Sequence, residues 1–395
     1  MKILHTSDWH LGRYFHQQSL LDDQRYVLAQ VEQHVREQKP DAVIVAGDIY
    51  DRSLPPAEAV KLLDDTLHTL VHELAVPVIM ISGNHDGADR LGFGARQLRQ
   101  AGLSIVTSFA EMLNPVIFTD CHGEVAVWCM PYNDPNLVAD YFQVPVNGYQ
   151  HAHELLVAAI VERQQELKLN NARHVLVSHC FLDGGSESES ERPLAMGGAD
   201  KVAPSTFADF DYVALGHLHQ PQYKGAEHIR YSGSLLKYSF SEHQQRKSVS
   251  LVELDNDGFA GVELLPLNAK RNVRRIAGEF ATLLADGKKD SDRDDYLEIT
   301  LTDTQAIIDP LARLRTVYPN ILDLKKDRFS HKEGEGASLA REHLKRTELD
   351  MLADFFQQVT DAPLSEQQLE LAKQVISAST KNQGSGTNGK QGNEQ

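Results

Sequence analysis

Cysteine is scarce in this sequence. The 395-residue chain has three, Cys121, Cys129 and Cys180. An odd count without paired spacing excludes a disulfide framework and a thiolate-ligated zinc ribbon, and it suits a reducing, cytoplasmic compartment. Long apolar runs are missing too. Stretches such as VPVIMI at 76–81 fall far short of the roughly 20 residues that span a bilayer. The opening MKILHTSDWHLG turns polar by residue 5, which is not the pattern of a signal peptide. No membrane association is expected. Positive charge is in deficit: 39 Lys and Arg against 56 Asp and Glu give a net charge of −17. That balance argues against a simple cationic binder of nucleic acid or of anionic lipid. Acid and histidine are plentiful, with 18 His in the chain, and the combination raises the question of bound metal.

Residues 1–270 read as strand–loop–helix units. KILHTS (2–7), AVIVAG (42–47), VPVIMIS (76–82) and HVLVSH (174–179) are short Val- and Ile-rich runs that stop abruptly in polar residues, as buried strands do. Helical segments are expected over 21–38 and 57–73, the second opened by Pro55-Pro56. Further on, DYVALGH (211–217), HIRYSG (228–233), SVSLVEL (248–254) and GVELLPL (261–267) have little helix between them, so more antiparallel pairing is expected there. The fold class is α/β, a two-sheet sandwich flanked by helices. Residues 271–328 change texture: strands over NVRRIAGEF, 295–303 and 321–327, with a helical stretch at 304–317, predict a small α+β domain. Residues 329–342 read as a linker. Two helices follow, about 343–360 and 365–379, within a helix-pair segment at 343–379. Leu349, Leu352, Phe355, Phe356 and Val359 form an apolar stripe on the first, and Ser365 with Gln368 forms a capping box on the second. The low-complexity tail, 380–395, is expected to be disordered.

Metal-binding side chains concentrate at strand ends. Asp8 and His10 are two residues apart and share one side of an extended backbone. Gly47-Asp48-Ile49-Tyr50-Asp51 follows a buried strand, and a carboxylate there has lone pairs enough to bridge two cations. Gly83-Asn84-His85-Asp86 offers a neutral carbonyl oxygen and an imidazole, with Asp86 open to two readings: orienting His85 or capping the turn. His179, His217 and His219 close the set. Singly, each has an ordinary structural explanation, a turn-capping Asp or a core His. Together they sit at strand ends, where α/β sheets assemble their sites.

The ordered set D-x-H, GD-x-x-D, GNHD, H and GH-x-H resembles the calcineurin-like metallophosphoesterases. Within that superfamily, longer stretches resemble the SbcD family of nuclease subunits: MKILHTSDWHLGRYF, VAGDIYDRSLPP, SGNHDGADRLGF, SESERPLAMGGADKV at 188–202, DYVALGHLHQPQ at 211–222 and YSGSLLKYSF at 231–240. They cover the first 240 residues. The resemblance implies one divalent ion on Asp8, His10, Asp48 and His219, a second on Asp48, Asn84, His179 and His217, and Asp48 as the bridge. It makes His85 the catalytic group that orients the scissile phosphate and protonates the leaving oxygen. A donor set of Asp, Asn and His without thiolate suits Mn²⁺ better than structural Zn²⁺. Asp51 departs from relatives that carry His at that position. The SESERPL stretch has no evident ligand role.

The same resemblance implies an SbcC-type ATPase partner, DNA ends and hairpins as substrate, and a homodimer within a heterotetramer. Dimerisation would lie within about 57–73 and 88–101, the α+β domain would cap the DNA, and the terminal helix pair would dock on the coiled-coil base of SbcC. The function implied is an Mn²⁺-dependent DNA exonuclease and endonuclease driven through that ATPase, in repair, replication and recombination. Two alternatives stand beside it: a phosphodiesterase or phosphatase acting on non-DNA substrates, which the metal motif alone does not separate from a nuclease, and an architectural subunit without catalysis, against which the complete ligand set argues. Against the acidic average stand two cations and two basic groups, Arg90, Arg96 and Arg99 near the GNHD loop and Lys270, Arg271, Arg274 and Arg275 at the domain junction.

Overall fold

The computed structural model describes residues 1–192, 194, 201–327, 349, 352–353, 356–357 and 363–383. The chain divides into two compact units, Met1–Arg274 and Arg275–Gln395.

The first unit is a sandwich of two six-stranded sheets. One sheet has the order Gly258–Pro266, Ser248–Asp255, Lys2–Thr6, Ala42–Val45, Val78–Ile81, Leu103–Val106. Its last four strands are parallel, and Ser248–Asp255 pairs antiparallel with both its neighbours. The other sheet has the order Gln222–Lys224, Ala226–Tyr231, Tyr212–Gly216, Arg173–His179, Gly123–Met130, Val116–Asp120. The α/β sandwich reading therefore holds. The expectation of antiparallel pairing from 211 onward does not hold throughout: Tyr212–Gly216 pairs parallel with both Arg173–His179 and Ala226–Tyr231. A short reversal through Gln222–Lys224, antiparallel to Ala226–Tyr231, replaces the crossover helix whose absence suggested otherwise.

Strand periodicity decides which side chains meet. Ile3, Ile44, Ile79, Ile81 and Val106 of one sheet pack on Val125, Val127, Val175, Val177 and Ala214 of the other. The alternate residues Leu4, Val43, Val45 and Met80 point to the opposite face and are also buried. Parallel strands must be joined by crossovers, and helices Leu21–Gln38 and Ala57–His68 make two of them, burying Val27, Val31, Val35, Ala59 and Leu62. The second sheet's outer face, with Trp128, Leu176, Val213 and Leu215, packs on Tyr149, Ala152, Leu156 and Ile160. Those four belong to helix Gly148–Glu166, which the sequence reading passes over because a small Ala and a polar His153 dilute its stripe. Each large apolar side chain so buried contributes about 1.5–3 kcal/mol.

The second unit has a three-stranded sheet, Val273–Gly278, Tyr296–Leu301 and Ile321–Lys326, with a core that includes Phe280, Leu283, Leu297, Ile299 and Leu314. Its helices include Phe280–Asp286 and Pro310–Leu314. The second is much shorter than the 304–317 expected, since its cap is Asp309, whose carboxylate accepts from Ala312 N. Helix Glu366–Gln383 opens on the expected box: Ser365 N donates to Gln368 Oε1 at 2.9 Å and Gln368 N to Ser365 Oγ at 3.4 Å. It runs into the segment expected to be disordered. Leu349, Leu352 and Phe356 are helical. Phe355, Val359, the 329–342 linker and residues 384–395 lie outside the described residues.

Arg173 fastens the end of the sandwich where strand Arg173–His179 begins. Its guanidinium makes a bidentate pair with Asp120 and also donates to Asp255 O at 3.0 Å, across to the other sheet. Arg173 beside Asp120 holds that carboxyl well below the usual carboxylate range. A depressed folded pKa gives stability that is complete above the unfolded value of about 3.9 and is lost as pH falls towards the folded one. Asp120→Asn should therefore cost up to about 1 kcal/mol at pH 7, the partly exposed pair being screened by solvent. The gap from wild type should shrink below about pH 4, as read by thermal unfolding at pH 7 and pH 3; an equal gap at both would refute the assignment.

Candidate metal centre

The loops that end five parallel strands meet in one place. Asp8 and His10 follow Lys2–Thr6, Asp48 and Asp51 follow Ala42–Val45, and Asn84 and His85 follow Val78–Ile81. His179 ends its strand, and His217 and His219 follow Tyr212–Gly216. Backbone bonds lace the loops together: Asp8 N to Gly47 O at 3.1 Å and His10 N to Asp48 O at 2.9 Å. His217 N donates to Asp8 Oδ1 at 3.0 Å, which joins one sheet to the other.

The backbone here is strained. Asp8, His10, Asp48 and His217 have φ of 52°, 45°, 50° and 106°. Asp8 and His10 are thus not extended, contrary to the sequence expectation. They converge because the chain turns through the left-handed region, where Asp and His are less penalised than most residues. Such positions cost of order 1–3 kcal/mol each and gather at functional sites. Two glycines permit the approach of the strand ends. A Cβ on Gly83 would collide with the Asp48 carboxylate and backbone N, and one on Gly216 with the Ala46 carbonyl.

The seven expected ligands are brought together; five of them form two donor groups, and His10, Asp51 and His85 form a third. Asp8, His10 and His219 present donor atoms within 4.8 Å of one another, and so do Asp8, Asp48 and His179. His10 Nε2 and His219 Nε2 are 3.0 Å apart. Asn84 Oδ1 lies 2.9 Å from His179 Nε2 and 3.3 Å from His217 Nδ1. Asp48 Oδ2 sits between the groups, 3.6 Å from His10 Nε2 and 3.5 Å from His179 Nε2. One outward ring nitrogen is tied: His179 Nδ1 donates to Ala46 O at 2.9 Å. His10 Nδ1 is buried without a hydrogen-bond partner among the described residues. This donor set fits divalent cations, since crowded carboxylate and imidazole lone pairs in a dry site repel unless a positive charge is shared between them.

His85 stands beside this centre. Its ring lies 4.7 Å from that of His10, and its Nδ1 donates to the Asp51 carbonyl at 2.8 Å. Asp86 does not orient it. Its carboxylate accepts from Ile49 N, Tyr50 N and Gly83 N at 3.1, 2.9 and 2.9 Å, so the capping reading is the one the structure has. Asp51 is taken by Arg13, at 3.0 Å.

Burial disfavours charge throughout. It pushes the Asp8 carboxyl up and the His217 imidazole down to about 3, with neighbouring His179 adding to the fall. Burial opposes ionisation of Asp48 and His179 as well, but each is the other's counter-ion. His179 holds Asp48 well below the carboxylate range, and Asp48 raises His179 to about 9.

Several supporting residues were invisible in the sequence. Gln24 of the first helix donates to Trp9 O and His10 O at 3.2 and 2.7 Å and accepts from Gly12 N at 3.0 Å; Tyr238 also donates to Trp9 O, at 2.6 Å. Only their place in buried stretches hinted at it. Of the junction basic group, Arg271 is committed to buried Asp23 and Arg275 to Glu298 at 2.8 Å. Arg90, Arg96 and Arg99 are exposed.

A sandwich of mixed sheets with a two-group Asp, Asn and His centre on its strand-end loops defines a metallophosphoesterase. The calcineurin-like phosphoesterase family matches residues 1–221, and the chain belongs to that family. The type 5 capsule protein repressor C-terminal domain matches residues 269–360. A relative from Staphylococcus epidermidis, named as the D component of the SbcCD nuclease, is 35% identical over 378 residues, which covers 95% of this chain and 98% of that protein. Among solved structures, TT1561 of Thermus thermophilus is 12% identical with a TM-score of 0.39. A dimetal phosphatase from Danio rerio is 11% identical with a TM-score of 0.40. Each alignment covers 68% of this chain and 99% of the other.

Because Asp48 keeps a proton on His179 in the metal-free protein, a cation must displace it. Metal affinity should rise with pH up to about 9, and calorimetry near pH 7 in buffers of different ionisation enthalpy should show proton release on binding. Affinity independent of pH between 6 and 9 would contradict this pairing.

Proposed function

We propose that this protein is the nuclease subunit of a complex with an SbcC-type ATPase, hydrolysing phosphodiesters at DNA ends and hairpins with two Mn²⁺ ions. The observation that supports the reading is the gathering of Asp8, His10, Asp48, His179 and His219 in two overlapping donor groups, with Asn84 and His217 beside His179. His85 shares a third group with His10 and Asp51 and is read as the acid because its Nδ1 is held by the Asp51 carbonyl. One ion would be held by Asp8, His10, Asp48 and His219, the other by Asp48, Asn84, His179 and His217. When bound, the ions supply Lewis acidity to the phosphodiester and to the attacking water. The chain's own residues do the remainder. Asp48 keeps the two groups in register, its Oδ1 accepting from His85 N at 2.9 Å. His85, anchored through Nδ1, holds Nε2 towards the phosphate and delivers a proton to the departing oxygen; an imidazole, with an ordinary pKa of about 6.5, is suited to that exchange near neutral pH.

DNA as substrate is supported by kinship over nearly the whole chain with a protein named as part of a nuclease. A net charge of −17 leaves the isolated subunit a weak binder of polyanions, so the cations, the exposed arginines near residue 90 and the ATPase would supply the attraction. The helix pair at 343–379 is proposed as the ATPase contact, the unit that precedes it as a cap over the DNA, and the segments near 57–73 and 88–101 as the homodimer surface.

End-labelled duplex and hairpin DNA, incubated with the complex, ATP and Mn²⁺, should be cut. Asp48→Ala should reduce cleavage to background in a folded protein. His85→Ala should keep both ions and lose about 10²–10⁴-fold in turnover. Loss of bound metal in His85→Ala would show that it is a ligand, and turnover of small phosphodiesters without DNA cleavage would reject the nuclease reading. Deletion of 343–379 should abolish co-purification with the ATPase, and an undiminished complex would place the contact elsewhere.

A further inference from the structure

We infer that Ser190, backed by Glu242, is a positioning residue for His219, fixing the ring tautomer that turns a bare Nε2 into the metal centre. The inference rests on the metal-centre reading and deepens it. Ser190 lies in the SESERPL stretch, which offered no chemistry as sequence. In the structure it is buried, at 8% exposure, and its Oγ touches His219 Nδ1 at 2.6 Å and Glu242 Oε1 at 2.6 Å.

The direction of each bond follows from what each group can do. Glu242 is fully buried, and Lys247 Nζ, 2.6 Å from its Oε2, keeps it a carboxylate. A carboxylate only accepts, so the Ser190 proton goes to Glu242. Ser188 Oγ, 2.8 Å from Ser190 Oγ, gives its own proton to Glu191 Oε2 and supplies none to Ser190. The Ser190 oxygen is then an acceptor, and the proton it accepts is on His219 Nδ1. In the neutral ring, the form that can ligate a metal, that leaves Nε2 unprotonated, facing His10 Nε2 at 3.0 Å.

The backbone of His219 is held by the same elements. Its N–H donates to Glu191 Oε1 at 2.8 Å, and its carbonyl accepts from Lys247 Nζ at 2.7 Å. Arg13 secures the loop through Ser190 O at 3.1 Å while pairing with Asp51. Without the Ser190 hydroxyl, the buried Nδ1–H is left 3.9 Å from Glu242 Oε1, beyond hydrogen-bond reach, or the proton moves to Nε2, where it blocks ligation. Outer-shell partners of this kind are worth about 10–100-fold in metal affinity.

The experiment is Mn²⁺ titration of the full chain, by calorimetry and electron paramagnetic resonance, with thermal unfolding alongside. Wild type should take up two ions. Ser190→Ala should bind one of them about 10–100-fold more weakly and the other within about twofold, while Ser190→Thr, which retains the hydroxyl, should behave as wild type. Glu242→Gln, which can turn an amide N–H towards Ser190, should show the same selective weakening and covers the case in which the alanine variant does not fold. Unchanged affinity for both ions in Ser190→Ala, equal weakening of both, or a threonine variant as impaired as alanine would overturn the relay. Wild type that takes up no metal would overturn the metal-centre reading itself, and the relay with it. Because the readout is metal uptake, a protein that binds two ions as described and cuts no DNA would reject the nuclease function alone.

Discussion

The Asp48 carboxylate, wedged between His10 and His179, is the contact on which the site depends. It lies where the strand-end loops of two sheets close on one another, and both flanking imidazoles are buried. Three things follow from placing a charge there. The strand ends must come within backbone contact, which only glycine at 83 and 216 allows. The loops must turn through left-handed conformations at Asp8, His10, Asp48 and His217. The surrounding imidazoles must share their charge with a carboxylate or a cation, because burial takes them away from bulk solvent. The parallel strands in both sheets make this possible by bringing all five loops to the C-terminal ends of their strands.

The acidity of the chain reads differently once these positions are known. As an average, −17 opposes binding of a polyanion. Locally, Asp8 and Asp48 face imidazoles and cation positions, Asp23 and Asp120 are paired with Arg271 and Arg173, and Glu242 is paired with Lys247. Much of the buried acid is therefore structural, and what a phosphate would meet at the centre is set by the metal charge and not by the mean.

A second layer of polar residues surrounds the donors, and it comes from parts of the chain far apart in sequence. Gln24 is on the first helix, Ser190 and Glu191 are in a long loop, and Tyr238, Glu242 and Lys247 precede the strand that pairs with Lys2–Thr6. Glu242 holds Ser190 and Lys247, and each of the others meets a backbone group or a ring nitrogen of a donor-bearing loop. A buried polar network of this kind is costly when one member is lost, so the precision of the centre is distributed over residues that hold no metal.

The sequence by itself determined the strands that end at the site, the sandwich class and which Asp, Asn and His residues stand at those strand ends. Short Val- and Ile-rich runs stopping at Gly, Asp, Asn and His carry both signals in a few adjacent residues. It also contained the Ser365 and Gln368 cap, a purely local interaction. Only the tertiary structure decided the parallel pairing of Tyr212–Gly216, the capping role of Asp86 and the commitment of Asp51 to Arg13. It also decided the hold of Ser190 on His219. Each of these depends on a partner brought close by packing of distant segments, and a hydroxyl or a carboxylate has no periodicity that would announce which proton it will meet.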